Sequence, residues 1–182
     1  MILDHNKIGT NGIKFLIEGH ECFPILSGLY LSENAIDGKG IYELTKNPNA
    51  FPLLDNLDLG ENLLEKSESD ALAFITTVFP NLTQFGIRRN GLGDTGIKKL
   101  FRDKASFSNA SQIGLANNLI SGEGIKNMVD SGKNHFPNLT RLWLENNILQ
   151  DEGAKWLSRG NVFPGLVDLQ IFSNALGSQG VL

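Results

Sequence analysis

The feature that most constrains this chain is an asparagine that returns at a fixed interval. It follows an L-x-L-x-x run or a close variant, at Asn6, Asn34, Asn62, Asn90, Asn118, Asn147 and Asn174. The intervals are 28, 28, 28, 28, 29 and 27 residues. A period of this size points to an array in which one small unit is copied along the chain. No single unit can bury its apolar face alone, so neighbours must stack.

A second marker keeps step with the first. Phe-Pro occurs at Phe23-Pro24, Phe51-Pro52, Phe79-Pro80, Phe136-Pro137 and Phe163-Pro164, and Phe107-Ser108 stands in the remaining place. Aligned on both markers, one unit reads Leu26-x-x-Leu29-x-Leu31-x-x-Asn34-x-Ile36, then Gly40-Ile41-x-x-Leu44. A later unit repeats it with Leu82, Phe85, Ile87, Asn90, Leu92, Gly96, Ile97 and Leu100. Leu-x-Leu has the period that puts both side chains on one face of a strand. After the glycine the spacing turns helical, as in Ile125, Met128 and Val129.

Each unit is therefore predicted to be one short strand followed by one helix, an α/β arrangement repeated about seven times in a single domain over residues 1–182. Stacked strands sit about 4.8 Å apart, and packed helices about 8–10 Å apart. The helix side of the stack is longer, so the array is expected to bend into a horseshoe. Parallel strands would line its concave face and helices its convex face. The asparagine amide is expected to bond its own loop and the next coil. The recurrent phenylalanine should fill the space between one helix end and the next strand, with the proline stopping the helix. One unit departs from the pattern, with Glu68 where the others carry glycine. Ser67 and Asp70 could cap a helix there, so a shifted helix start is expected rather than a break in the fold.

These motifs resemble the leucine-rich-repeat superfamily over essentially the whole chain. The 28-residue period, the full helix and the N-x-[LI]-x-x-x-G step are similar to its ribonuclease-inhibitor-like subfamily. That subfamily includes enzyme inhibitors, GTPase-activating proteins, actin-capping proteins, innate immune sensors and effectors that intracellular bacteria inject into host cells. The resemblance implies a concave or lateral surface that grips another protein. It is specific for fold and weakly specific for function.

Composition narrows the classes further. A net charge of −4 with a pI near 5.4 leaves no strong electrostatic footprint for nucleic acid. The one cysteine, Cys22, excludes a disulfide within the chain. No apolar window approaches the length of a membrane-spanning helix, and Met1-Ile2-Leu3-Asp4 does not resemble a secretion signal. The expectation is a soluble protein of the cytoplasm, or of a host-cell cytosol if it is a secreted effector. Both ends of the chain fall inside a unit, without a polar cap. Two explanations fit: a segment of a longer array, which is favoured, or self-association through the uncapped ends.

Catalytic chemistry is not expected. One cysteine and the scattered His5, His20 and His135 lack zinc-site spacing. Turns such as Asn90-Gly91-Leu92-Gly93-Asp94 lack the G-K-[ST] ending of a phosphate loop. No catalytic residue, metal or cofactor is assigned. Lys98, Lys99, Arg102 and Lys104 cluster on one helix, which reads as a solvated face rather than a nucleic-acid site.

Side chains between the core leucines would point into the concave face in columns. The central column is Ile2, Tyr30, Asp58, Gly86, Gly114, Trp143 and Gln170. Arg141 belongs to the column before it; Arg88, Glu145 and Phe172 belong to the column after. Tyr30, Asp58, Arg88, Arg141, Trp143, Glu145 and Phe172 are the candidate protein-binding residues, with Trp143 and Phe172 expected to stand exposed. Gly60, Gly86, Gly114 and Ala116 should leave a shallow depression between the aromatic ends. The expected function is non-catalytic binding of a partner protein through this face. The alternatives are a bacterial effector, the targeting segment of a larger enzyme, or a GTPase-activating regulator acting through Arg88 or Arg89.

Overall fold

The computed structural model describes residues 1–64, 70–102, 107–130, 136–159 and 162–180. Among them, three-residue strands form one parallel sheet in sequence order: β1 (Gly28–Tyr30), β2 (Asn56–Asp58), β3 (Gln84–Gly86), β4 (Gln112–Gly114), β5 (Arg141–Trp143) and β6 (Asp168–Gln170). Register pairs Leu29 with Leu57, Leu57 with Phe85, Phe85 with Ile113, Ile113 with Leu142 and Leu142 with Leu169. A further parallel bridge joins Ile2 to Tyr30. Helices alternate with the strands: α1 (Gly9–Glu18), α2 (Gly38–Thr45), α3 (Ile75–Val78), α4 (Gly93–Leu100), α5 (Gly122–Asp130) and α6 (Gln150–Leu157). The arrangement fits an α/β repeat solenoid. No helix among the described residues is long and apolar enough to cross a membrane.

Packing follows from the two periodicities. The middle residues of β1 to β5, such as Leu29, Leu57 or Ile113, are buried in one core with Ile41, Ile97 and Ile125 of the helices, and Leu169 of β6 packs against it partly buried. Each helix packs on its neighbour, α1 on α2, α4 on α5 and α5 on α6. Between α2 and α4 the unit lacking the glycine opens as a 3-10 turn (Asp70–Phe74) before α3. The strand register on either side of it is undisturbed, so the sheet runs on through the unit that lacks the glycine. Ser67 and Glu68 lie outside the described residues. The glycine of the other units has a steric cause. A Cβ on Gly96 or Gly153 would come within 2.7 Å or 2.6 Å of the Cβ of Leu92 or Leu149, four residues earlier on the same turn.

The recurrent phenylalanines form a spine. Phe51, Phe79, Phe107 and Phe136 are buried, while Phe23 is 37% exposed. Phe107 stacks on Phe136 at 6.4 Å, and Phe136 meets Phe163 at 5.3 Å between centroids. Phe101 of the α4 end inserts between Phe107 and Phe136 at 5.3 and 5.6 Å. Such tilted and edge contacts add to the burial itself.

The asparagines form a continuous ladder. Asn62 donates from Nδ2 to the carbonyls of Leu59 and Gly60 in its own turn, at 2.9 and 3.0 Å. It also donates to Leu31 of the preceding unit at 3.0 Å. Its Oδ1 accepts from the backbone N–H groups of Asn34 and Ile36, both at 3.0 Å. Asn90, Asn118 and Asn147 repeat the pattern, each accepting from the backbone of the asparagine before it. The neighbour reached is thus the preceding coil, not the following one. The residue just before each asparagine is left-handed, with φ of 55° at Glu33, 53° at Glu61, 52° at Arg89 and 56° at Asn117. This conformation costs roughly 1–2 kcal/mol for a residue with a Cβ. It turns the chain out of the sheet while its N–H still reaches the next coil, as from Glu61 to Arg88 O at 2.7 Å.

Two outer ladders run beside it. Thr83, Ser111 and Thr140 donate their hydroxyls to the carbonyls of Asp55, Thr83 and Ser111, at 3.1, 3.1 and 3.0 Å. Asn81, Asn109 and Asn138 donate to Pro52, Pro80 and Ser108 carbonyls, at 3.0, 2.9 and 2.7 Å. Adjacent helix starts are also tied. The Thr10 hydroxyl donates to Asp37 Oδ1 at 2.6 Å, and Ser121 Oγ to Asp94 Oδ2 at 2.6 Å.

Asn90→Ala removes an amide that partners several buried backbone groups at once. Each such group left unpaired costs about 1–3 kcal/mol. The variant should lose about 3 kcal/mol or more in urea denaturation, and the exposed Asn138→Ala should lose under about 1 kcal/mol. A loss below about 1 kcal/mol for Asn90→Ala would sink the ladder argument.

Asp37 offers a pH-dependent check. The Thr10 hydroxyl, helped by the backbone N–H groups of Gly40 and Lys39 and by the Lys39 charge, holds its carboxyl below the ordinary 3.8 against the opposing effect of burial. A depressed folded-state value means the stabilisation is present above the ordinary value and is lost as pH falls through the folded one. The stability gap between the wild type and Asp37→Asn should therefore be widest near neutral pH and narrow as pH falls below the ordinary value of 3.8. Thermal melts across that range measure it, and a gap constant down to acid pH contradicts the assignment.

Candidate functional site

Strand geometry places the site. The middle residue of each strand points into the core, so its neighbours project from the open face of the sheet. Register therefore lines up Tyr30, Asp58, Gly86, Gly114, Trp143 and Gln170 across the strands, side by side.

These side chains are not independent of one another. Asp58 is half-buried, and its Oδ1 accepts from the Gly60 N–H at 2.9 Å. The same oxygen lies over β3, where it would come 2.9 Å from a Cβ on Gly86. Trp143 is half-buried too, because its indole leans over β4. Its Cε3 would lie 3.4 Å from a Cβ on Gly114. The glycines supply the room in which neighbouring side chains lie down.

A depression of about 200 Å³ lies among them, lined by Tyr30, Asp58, Gly86 and Trp143, by Asn56, Gln84 and Gln112, and by Leu57 and Phe85. Asn56 Nδ2 donates to Gln84 Oε1 at 3.1 Å along its rim. Of the four small residues expected to form the hollow, Gly86 alone lines it; Gly60, Gly114 and Ala116 are buried and do not. The space above Gly60 is taken by Arg88 Cγ and Ser32 Oγ, each 3.0 Å from where its Cβ would be.

Of the residues selected from sequence, the structure gathers Tyr30, Asp58 and Trp143 around this depression, while Arg88, Arg141, Glu145 and Phe172 stand outside it. Phe172 is 60% exposed. Trp143 leans toward Gly114, on the strand opposite to the Phe172 side. Arg88 and Arg89 both hold Glu61, at 2.9 and 3.1 Å. Glu145 has one buried oxygen, Oε2, that meets no donor among the described residues. Gln84, Gln112 and Asn56 were in the outward columns of the sequence, but nothing there singled them out as lining a common hollow.

Elsewhere, Lys99 and Arg102 each reach Asp70 at 3.6 Å, tying α4 to the preceding 3-10 turn. Lys104 and His135 lie outside the described residues. His20, in the 3-10 turn that follows α1, has its Nδ1 2.8 Å from Ile17 O of that helix, and Cys22 is exposed. Among the described residues no group of His, Cys, Asp and Glu side chains converges in a way that could hold a metal ion.

No curated protein sequence matches the chain. The family model described as Leucine Rich repeat matches residues 80–101. That stretch begins at Pro80, contains β3 and Asn90, and ends just past α4, so it spans one whole strand–turn–helix unit. Since the sheet carries the same unit in register to both sides, the match supports a leucine-rich-repeat protein.

Proposed function

We propose that this chain is a non-catalytic protein-binding module, a leucine-rich-repeat horseshoe of about seven 28-residue units that grips its partner on the concave face of its sheet. Leucine-rich repeats in general serve as protein–protein interaction modules, and the match at residues 80–101 supports that reading. The single observation that carries it further is the depression on the open face, lined by Tyr30 and Trp143 with Asp58 and Gly86 between them. Large aromatics beside a recess are the residue types that dominate binding energy in interfaces. Here they are held by short strands and buried ladders, so little conformational freedom is lost when a partner arrives.

The core does not depend on these side chains. Trp143→Ala should leave the fold intact and weaken a partner by about tenfold or more, the scale of a binding hot spot. Affinity capture with mass spectrometry supplies the partner, and calorimetry on the purified pair measures the change. Unaltered affinity in both Trp143→Ala and Tyr30→Ala removes this face from the interface.

A further inference from the structure

We propose that the recess between Asp58 and Trp143 receives a lysine or arginine side chain from a basic segment of the partner protein. This deepens, and rests on, the open-face reading above. Gly86 and Gly114 are register neighbours on β3 and β4. The Asp58 carboxylate overhangs the first and the Trp143 indole overhangs the second. An anion and an aromatic ring therefore flank one point on the sheet, separated by about one strand spacing of 4.8 Å. A cation seated there gains an ion pair and a cation–π contact together, since the latter acts within about 6 Å of a ring centroid.

The rest of the face shows why this point is open. Glu33 is engaged by His5 at 2.9 Å, and Glu61 by Arg88 and Arg89. Asp58 has no cation beside it among the described residues; the Gly60 N–H holds its oxygen in place instead. The second tryptophan makes the comparison sharper. Trp156 donates to Glu152 at 2.8 Å and carries the Arg159 guanidinium 3.6 Å above its ring. That carboxylate, indole and cation are all supplied by the chain itself. At Trp143 the carboxylate and indole are present, and among the described residues no cation lies over the ring.

The remaining lining suits a cation. The same hollow is lined by Tyr30, Gln84 and Gln112, whose side chains carry oxygens able to accept from an ammonium or guanidinium group, and by Leu57 and Phe85, which suit the aliphatic stem of a lysine or arginine. An uncharged aliphatic occupant would strip water from Asp58 without replacing it. The outward columns as a whole carry Asp4, Glu33, Asp58, Glu61, Glu145 and Asp168 against three arginines, two of them held by Glu61. A basic partner surface complements that balance.

The probe is a capped hexalysine peptide, set against its fully Nζ-acetylated counterpart and a hexaglutamate. The readout is the indole N–H resonance of Trp143, assigned with a Trp156→Phe variant. Hexalysine should shift it saturably, more weakly as salt rises, while the other two peptides leave it in place. Asp58→Asn keeps an oxygen for the Gly60 N–H and should weaken hexalysine by about fivefold, the scale of a partly exposed cation contact. Equal shifts from the acetylated peptide, or unchanged hexalysine affinity in Asp58→Asn, overturn the proposal. If Trp143→Ala weakens a captured partner while Asp58→Asn affects neither that partner nor hexalysine, the cation proposal fails and the interface stands. If hexalysine binds as expected while Trp143→Ala and Tyr30→Ala both spare the partner, the interface reading fails and the cation recess stands.

Discussion

A strand of three residues leaves its sheet almost as soon as it enters. Every unit must therefore find partners for the backbone groups of a tight turn with no room for water. One asparagine amide per unit meets that demand. Its Nδ2 collects carbonyls from its own turn and from the coil before, as Asn118 does with Leu115, Ala116 and Ile87. Its oxygen takes the N–H of the preceding asparagine, as Asn147 does from Asn118. No unit is closed by its own residues: each is completed by the next. Stability in such an array is a sum of units and of contacts between neighbours, and here the neighbour term is this amide.

What was legible in the sequence follows from that dependence. An amide that must be present once per turn, and a phenylalanine that must fill the same gap each time, leave a period that survives in the letters. The left-handed residue before each asparagine leaves none, because Glu33, Glu61, Arg89 and Asn117 share a backbone angle and nothing else. Asn117 tolerates that angle well, whereas Glu61 and Arg89 are held in it by the stack. The hydroxyl ladder was equally silent. Thr83 and Ser111 are ordinary surface letters until register sets each against the carbonyl of the unit before. Register also hides the tie between Thr10 and Asp37, whose separation of 27 residues is one short of the common period.

The site was legible in position and not in posture. Alternation along the strands was enough to place Tyr30, Asp58 and Trp143 in one outward column. It could not say that Trp143 would lie across β4 or that Asp58 would lie across β3. Those postures depend on which neighbour lacks a Cβ. The same glycines that read as an empty floor are the reason their neighbours lean inward. Gly60 shows the other outcome, since its space is filled by Arg88 from the following unit.

This division of labour bears on how such a face recognises anything. The residues that hold the array together point inward or lie along the turns, while the side chains of Tyr30, Asp58 and Trp143 project from the open face of the sheet. On the proposed reading, a change at Trp143 or Asp58 alters recognition with little effect on the scaffold, whereas a change at Asn118 alters the scaffold first. The rigidity runs the same way. A side chain standing on three hydrogen-bonded residues, beside a turn fixed by its neighbour, has few orientations left to lose. Tyr30 on β1 and Trp143 on β5 stand about 19 Å apart at the common strand spacing. On the proposed reading, a partner that engages both must match a span set by the backbone, and specificity would come from that fixed span as much as from the chemistry at its two ends.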